Sequence, residues 1–307
     1  MFSRNHFSDL DEMLQSLVGW DLDFLPLEKG KFPSRIGQYL FEDTFIGEAN
    51  FFKKVEQRGA TPEGYRTFVV PKDDRVNYHW RGREIDGQTL SLFPPNGELF
   101  SVSNGSFQVF TISFSFRILE EALEKVKSKK IKASIQGEQI WKVSHQKLHR
   151  IRNLIRRLIS KSSEPGLFNS QEIEFELVSE ILNSMDHSRS SALESWKRRD
   201  RALVKCVELI RSVKHDHIMT LSKLCKESKV SERTIQYAFK DRYGLTPKEY
   251  IKNYNLRMVR NKLKMSRKGA RIQDVASEFG FWHMGQFASD YKRHFGELPS
   301  ESLIRSK

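Results

Sequence analysis

Leu221–Gly244 reads LSKLCKESKVSERTIQYAFKDRYG, and Ile272–Gly296 reads IQDVASEFGFWHMGQFASDYKRHFG. In the first stretch Leu221, Leu224 and Cys225 make an apolar stripe at helical spacing. Lys229-Val230 reads as a turn, and Ser231 is placed to cap a second helix. Ile235, Ala238 and Phe239 line one face of that helix and leave a polar outer face. The second stretch repeats the pattern. Ile272, Val275, Ala276 and Phe281 match Leu221, Leu224, Cys225 and Val230 at an offset of 51 residues. Phe287, Tyr291 and Gly296 match Ile235, Phe239 and Gly244 at an offset of 52, so one residue is inserted at the turn. Each copy closes with Gly-x-x-Pro, at Gly244–Pro247 and Gly296–Pro299. Glycine ends a helix and proline opens the next. The last third of the chain is therefore a duplicated helix-turn-helix unit.

Between the copies, Lys248–Met265 carries Tyr250, Ile251, Tyr254, Leu256, Val259 and Leu263 at helical positions. As a helix it would span about 27 Å, close to the roughly 34 Å of one turn of DNA. Charge points to the same partner. The chain has 52 Lys and Arg against 39 Asp and Glu, but residues 197–307 hold 26 of the former and only 12 of the latter. The first 196 residues are close to neutral. A compact basic segment after a neutral one fits a polyanion partner; a merely solubilising surface is the alternative.

The carrying residues are Val230-Ser231-Glu232-Arg233-Thr234 with Phe239-Lys240 and Gly244-x-x-Pro247. They continue through Arg257 and Leu263, then Ile272-x-x-Val275-Ala276, Gly280-Phe281, Phe287, Tyr291-Lys292-Arg293 and Phe295-Gly296-x-x-Pro299. On these residues the segment from about 200 to 303 resembles the DNA-binding domain of the AraC/XylS family of bacterial transcription regulators. Two departures stand out. The second turn reads Trp282-His283-Met284-Gly285, where the family has small polar residues. After Pro299 the chain reads Ser300-Glu301-Ser302-Leu303 instead of ending in Tyr-Arg.

Upstream, Tyr65–Val70, Asn77–Trp80, Thr89–Phe93 and Phe107–Ser115 are short aromatic or β-branched runs punctuated by Gly, Pro, Asn and Asp. Such runs predict a sandwich or small barrel over about 32–116. Helices are predicted at Ile118–Val126, Gln146–Ile159 and Glu172–Met185, the last two forming a hairpin around a turn at Ser160–Asn169. Asp186–Ser195 is polar and serine-rich and reads as a linker. The expected domains are thus 1–186, a linker at 187–198, and 199–307. The expected fold is α+β. The resemblance implies that the first domain is a cupin-like β-barrel with a helical hairpin at about 145–186. The second is all-α, with two helix-turn-helix units joined by a linker helix.

The function that follows is sequence-specific DNA binding in transcription regulation, as an activator. Double-stranded DNA is the implied partner, with RNA polymerase. A small-molecule effector, or homodimerisation through about 145–186, would engage the first domain. A regulator with no ligand, controlled by its abundance or by a partner protein, is the alternative. Base-reading candidates are Ser231, Glu232, Arg233 and Gln236 on the first recognition helix, and His283, Met284, Gln286 and Ser289 on the second. Arginine grips guanine in a bidentate way and glutamine reads adenine; solvent or phosphate contact is the competing role for Arg233. Thr220, Lys240, Arg271, Lys292 and Arg293 are the phosphate candidates.

Tyr78, Trp80 and Phe93 are the effector-pocket candidates, against an ordinary barrel interior. His79 stands alone, without the further ligands a metal site needs. No metal or other cofactor is expected, and the common catalytic motifs are absent from the sequence. A repair-type enzyme fused to such helices would need a reactive cysteine in the first domain, and residues 1–196 contain none. Cys206 and Cys225 read as small apolar residues on helical stripes. No apolar run approaches a membrane span, and the N-terminal residues lack a secretory pattern. The expected location is the cytoplasm, on the nucleoid.

Overall fold

The structure is a computed structural model that describes residues 2–94, 99–126, 128–137, 139–162, 170–186, 188–192, 198–212, 219–266 and 270–304. It divides into two compact units. One comprises Met1–Phe24, Pro33–Lys53 and Gln57–Ser195; the other comprises Leu25–Phe32, Lys54–Glu56 and Trp196–Lys307. Two short stretches of N-terminal sequence thus count with the second unit, which a linear boundary at 186 does not provide for.

Thirteen strands are described, all within the first unit except the end of β2 and the start of β5: β1 (Phe2–Phe7), β2 (Asp21–Pro26), β3 (Ser34–Leu40), β4 (Thr44–Phe51), β5 (Val55–Ala60), β6 (Tyr65–Pro71), β7 (Asn77–Trp80), β8 (Arg83–Asp86), β9 (Thr89–Leu92), β10 (Leu99–Ser103), β11 (Phe107–Ser115), β12 (Gln139–Lys142) and β13 (Arg189–Ala192). They form an eight-stranded sheet in the order β1-β3-β4-β11-β6-β9-β12-β13 and a five-stranded sheet in the order β2-β5-β10-β7-β8. The larger sheet is buried on two faces. Val69, Ala49, Phe51, Phe107 and Val109 line an interior shared with Phe24, Tyr78, Leu99 and Ser101 of the smaller sheet. Tyr39, Ile46, Phe68, Val70, Phe110, Ile112 and Phe114 face the other way, into a cluster with the helices. Alternation along each strand assigns the two faces.

Those helices are α2 (Phe116–Val126), α3 (Lys129–Ile135), α4 (His145–Lys161) and α5 (Gln171–Asp186); α1 (Leu10–Gln15) lies earlier in the chain, capped by the Asp9 carboxylate. Leu148, Ile151, Ile155 and Leu158 of α4 and Ile173, Leu177, Val178, Ile181 and Leu182 of α5 are all buried in that cluster. The hairpin therefore spends its apolar faces within its own unit. Among the described residues, no strongly exposed large apolar side chain lies on α4 or α5.

The predicted strands at 65–70, 77–80 and 107–115 and the three predicted helices are present, within two residues of their expected ends. The sheet region extends beyond 32–116 on both sides, through β1, β2, β12 and β13. Arg189–Ala192 lies in the expected linker yet pairs antiparallel with Gln139–Lys142. Residues 187 and 193–197 of that linker, and 163–169 of the expected hairpin turn, lie outside the described residues.

The second unit is helical: α6 (Arg198–Ser212), α7 (Leu221–Ser228), α8 (Glu232–Tyr243), α9 (Pro247–Met265), α10 (Ile272–Glu278), α11 (Met284–Phe295) and α12 (Pro299–Ile304). Both copies of the repeat fold as the sequence predicts. Gly244 and Gly296 end α8 and α11 in the left-handed conformation, at φ of 72° and 77°. Thr246 opens α9 with a capping box: its hydroxyl accepts from the Glu249 amide, and the Glu249 carboxylate accepts from the Thr246 amide. Pro247 takes the first helical position.

Candidate nucleic-acid interface

Each helix-turn-helix unit packs its second helix by aromatic contact. Phe239 and Tyr243 of α8 meet Tyr250 of α9, with ring centroids 5.2 and 4.7 Å away. In the second copy, Phe287 and Tyr291 of α11 join Leu256, Val259 and Leu263 of α9 in one buried cluster. This packing fixes which face of each recognition helix points outward. Phe239, Phe287 and Tyr291 are core residues, as expected.

The outward face of α8 carries Ser231, Glu232, Arg233, Gln236 and Lys240, all exposed. Ser231 caps the helix, its hydroxyl accepting from the Thr234 amide at 3.3 Å. Gln236 donates to the Glu232 carboxylate at 2.9 Å, so reading a base would require it to give up that bond. The Arg233 guanidinium lies 5.6 Å from the ring centre of Tyr237, which is itself strongly exposed. The exposed Tyr237 ring thus serves as a platform beside which Arg233 is held. The Lys240 ammonium donates to the carbonyl of Gly244 at 3.1 Å.

On α11, His283, Gln286 and Ser289 are exposed and Met284 is half-buried. Gln286 donates to Asp290 at 2.9 Å, and Asp290 also pairs with Lys252 of α9 at 2.6 Å. Burial pushes the Asp290 carboxyl up, but the hydrogen bonds from Lys252 and Gln286 outweigh it and hold its pKa below the ordinary value. Gln286 is therefore tied to a charged pair that links the middle of its own helix to α9. Trp282, in the second turn, is 67% exposed. Thr220 caps α7 with its hydroxyl accepting from the Lys223 amide. Arg271 precedes α10, and Lys292 and Arg293 sit in the last turn of α11; all are exposed.

Not all the positive charge faces outward. Arg242, Arg257 and Arg260 are buried. Arg242 bonds Asp200 at 2.7 Å, and Arg260 bonds Glu297 at 2.8 Å. Their charge is spent inside the unit, which composition alone does not show. Cys206 is buried with its thiol pushed up by desolvation, and Cys225 is half-buried with a thiol raised for the same first reason.

In the first unit, Tyr78 and Phe93 line an apolar cavity between the two sheets. Trp80 is fully buried behind it, edge-on to Phe93 at 5.4 Å, and does not reach the cavity wall. The free space is about 60 Å³. Burial pushes the Tyr78 phenol far above its usual range. No helix among the described residues is long and apolar enough to cross a membrane.

The helix-turn-helix domain family matches residues 224–303. The XylDLEGF operon transcriptional activator 1 of Pseudomonas putida is 37% identical over 90 residues, 29% of this chain and 27% of that protein. The HTH-type transcriptional activator RhaS of Escherichia coli strain SE11 is 24% identical over 164 residues, 52% of this chain and 56% of that one. A solved structure described as a probable AraC family transcriptional regulator from Rhodopseudomonas palustris is 31% identical, covering 35% of this chain and 98% of that one, with a TM-score of 0.32. The chain spans between a quarter and about three fifths of the length of the curated relatives it matches. These relatives are named as transcription activators and regulators, and none as an enzyme. The second unit carries an AraC/XylS-type helix-turn-helix domain.

Proposed function

We propose that the protein is a sequence-specific DNA-binding transcription regulator, and an activator. The observation that carries this reading is the pair of packed helix-turn-helix units whose second helices, α8 and α11, both present exposed polar and cationic faces. The helix between them, α9, has 19 residues. At about 1.5 Å per residue it is about 28 Å long, which suits entry into successive major grooves. Arg233, Ser231, Glu232 and Gln236 on one unit, and His283, Met284, Gln286 and Ser289 on the other, would face bases. Thr220, Lys240, Arg271, Lys292 and Arg293 would hold phosphates. RNA polymerase is the partner that activation requires, and the cytoplasmic nucleoid is where it would act.

The first unit would sense an effector, dimerise, or both. Its apolar hairpin residues are buried, so a dimer through 145–186 would use the polar outer face. An effector at Tyr78, Trp80 and Phe93 would have to displace side chains. About 60 Å³ holds only a few waters, far below the roughly 300–1,000 Å³ of a ligand pocket. That observation weighs against an effector seated among those three residues; a regulator with no ligand, controlled by its abundance or by a partner protein, is the alternative.

Binding-site selection with the full-length protein on fragmented genomic DNA tests the proposal. Enriched sites with two boxes about one helical turn apart support it, and scrambling such a site should cost about 10³-fold in affinity. Equal affinity for scrambled DNA would make the protein a nonspecific architectural binder.

A further inference from the structure

The first unit contains a second, larger concavity. It lies on the helix-facing side of the eight-stranded sheet, between β1, β3, β4 and β11 and the C-terminal half of α4. Its volume is about 490 Å³, within the usual range for ligand pockets. Tyr39, Phe110, Glu48 and Lys72 form the floor; Phe2, Arg4, Arg156, Ile159 and Ser160 form the rim.

Sheet register explains how this place came to be charged. Arg4, Gly37, Glu48 and Phe110 lie in one row across β1, β3, β4 and β11. Gly37 has no side chain, and a Cβ there would come within 3.0 Å of the Glu48 carboxylate and 2.9 Å of the Tyr39 ring. The gap lets the Arg4 guanidinium reach across β3 to Glu48, at 3.0 and 3.1 Å. Lys72 approaches the same carboxylate from the other side and also donates to Asn50 at 2.9 Å. Its ammonium lies 4.9 Å from the centre of the Phe110 ring. Phe2, half-exposed, stacks on Tyr39 at 5.6 Å.

The lining is unbalanced in charge. One carboxylate faces three cations: Arg4, Lys72 and Arg156. Arg156 donates only a 3.3 Å hydrogen bond to Asn153 and has no ion pair among the described residues. Burial and the two neighbouring guanidiniums depress the Lys72 pKa, and Glu48 alone opposes them. An anion entering here would relieve that repulsion, while three aromatic rings and Ile159 would accept an apolar body.

We propose that this cleft binds a small organic anion: a carboxylate or similar head group held between Arg4 and Arg156, with an apolar, preferably aromatic, body over Phe110, Tyr39 and Phe2. Two guanidiniums at a mouth are suited to a carboxylate, and the rings match a flat apolar group. The inference does not depend on the sheet-interior cavity of Tyr78 and Phe93.

Calorimetry on the full-length protein tests it, using 2-naphthoate, its uncharged analogue 2-naphthylmethanol, and inorganic phosphate. Naphthoate should bind, and the other two should bind at least about tenfold more weakly, since each lacks one half of the match. Arg156→Ala and Arg4→Ala should each lower naphthoate affinity about tenfold. Ser160→Trp, at an exposed helix position on the rim, should block the cleft; circular dichroism checks that each variant folds. Absence of naphthoate binding overturns the proposal. So does equal binding of the alcohol or of phosphate, and so does naphthoate binding that ignores all three substitutions, which would place the ligand elsewhere.

Discussion

Position 229 shows how the two copies of the repeat solve one problem differently. The turn after α7 needs a residue in the left-handed region, and Lys229 takes it at φ 58°. The equivalent position in the second copy is Gly280, at φ 85°. A side chain in this conformation costs roughly 1–2 kcal/mol, partly offset by the greater freedom a glycine has when unfolded. Lys229→Gly should therefore raise stability by up to about 1 kcal/mol, measured by urea denaturation. Unchanged or lower stability would mean that the lysine side chain contributes more than its backbone costs. Arg233 belongs to the same scale. Stacked over Tyr237 and exposed, it is presented without an acidic partner of its own among the bonds found on α8. Arg233→Ala should weaken specific DNA binding by about 1–3 kcal/mol and leave scrambled DNA almost unaffected. Equal losses on both DNAs would make it a phosphate contact. Other residue roles were hidden from the sequence. Gln236 and Gln286 sit on the outward faces as expected, but each is tied to an acid four residues away, Glu232 and Asp290. Spacing permits such a pair without revealing it.

At the scale of elements, legibility followed composition. β6, β7 and β11 are aromatic or β-branched and alternate, so their limits were readable. β1, β3, β4 and β5 carry Arg, Gly, Gln, Glu and Asn, which weakens their strand signal; β3 and β4 pair as a hairpin, while β1 with β3 and β4 with β11 pair across long stretches of sequence. The short helices α1 and α3 have too few turns to show a period. By contrast, α7, α8 and α9 of the second unit open on side-chain caps at Thr220, Ser231 and Thr246, and α8 and α11 close on Gly244 and Gly296. The Thr246–Glu249 box illustrates how local the signal is. Thr246→Ala should cost about 1 kcal/mol of stability. The hydrogen bonds from the Thr246 amide and hydroxyl hold the Glu249 carboxyl below its ordinary 4.5. A depressed carboxyl stabilises the fold above its unfolded value, and that contribution is lost as pH falls through the folded one. The stability difference between wild type and Glu249→Gln should thus be largest above about pH 5 and shrink on acidification below about pH 4. A difference constant from pH 3 to 7 would mean that the box does not act through its charge.

At the scale of the molecule, the two units differ in charge, but the surplus in the second overstates what DNA would feel. Arg242, Arg257 and Arg260 are buried, so the cations that matter are the exposed ones. If Lys240, Arg271, Lys292 and Arg293 each neutralise one phosphate, the slope of log affinity against log salt should be about −4, and Lys292→Ala should reduce it by about 1. A slope unchanged by that substitution would remove Lys292 from the interface. The spacing of the two readers makes the last test. α8 and α11 both pack on α9, a single 19-residue helix opened by a capping box and lined with buried Leu256, Val259 and Leu263. Nothing in that packing lets the two units swing independently. Inserting about 5 base pairs between the two boxes of a selected site turns one of them to the opposite face of the duplex. Affinity should then fall to that of a single box, and inserting a full turn of about 10 base pairs should not restore it, because α9 cannot lengthen. Full recovery at 10 base pairs would mean that two molecules, rather than the two units of one, read the two boxes.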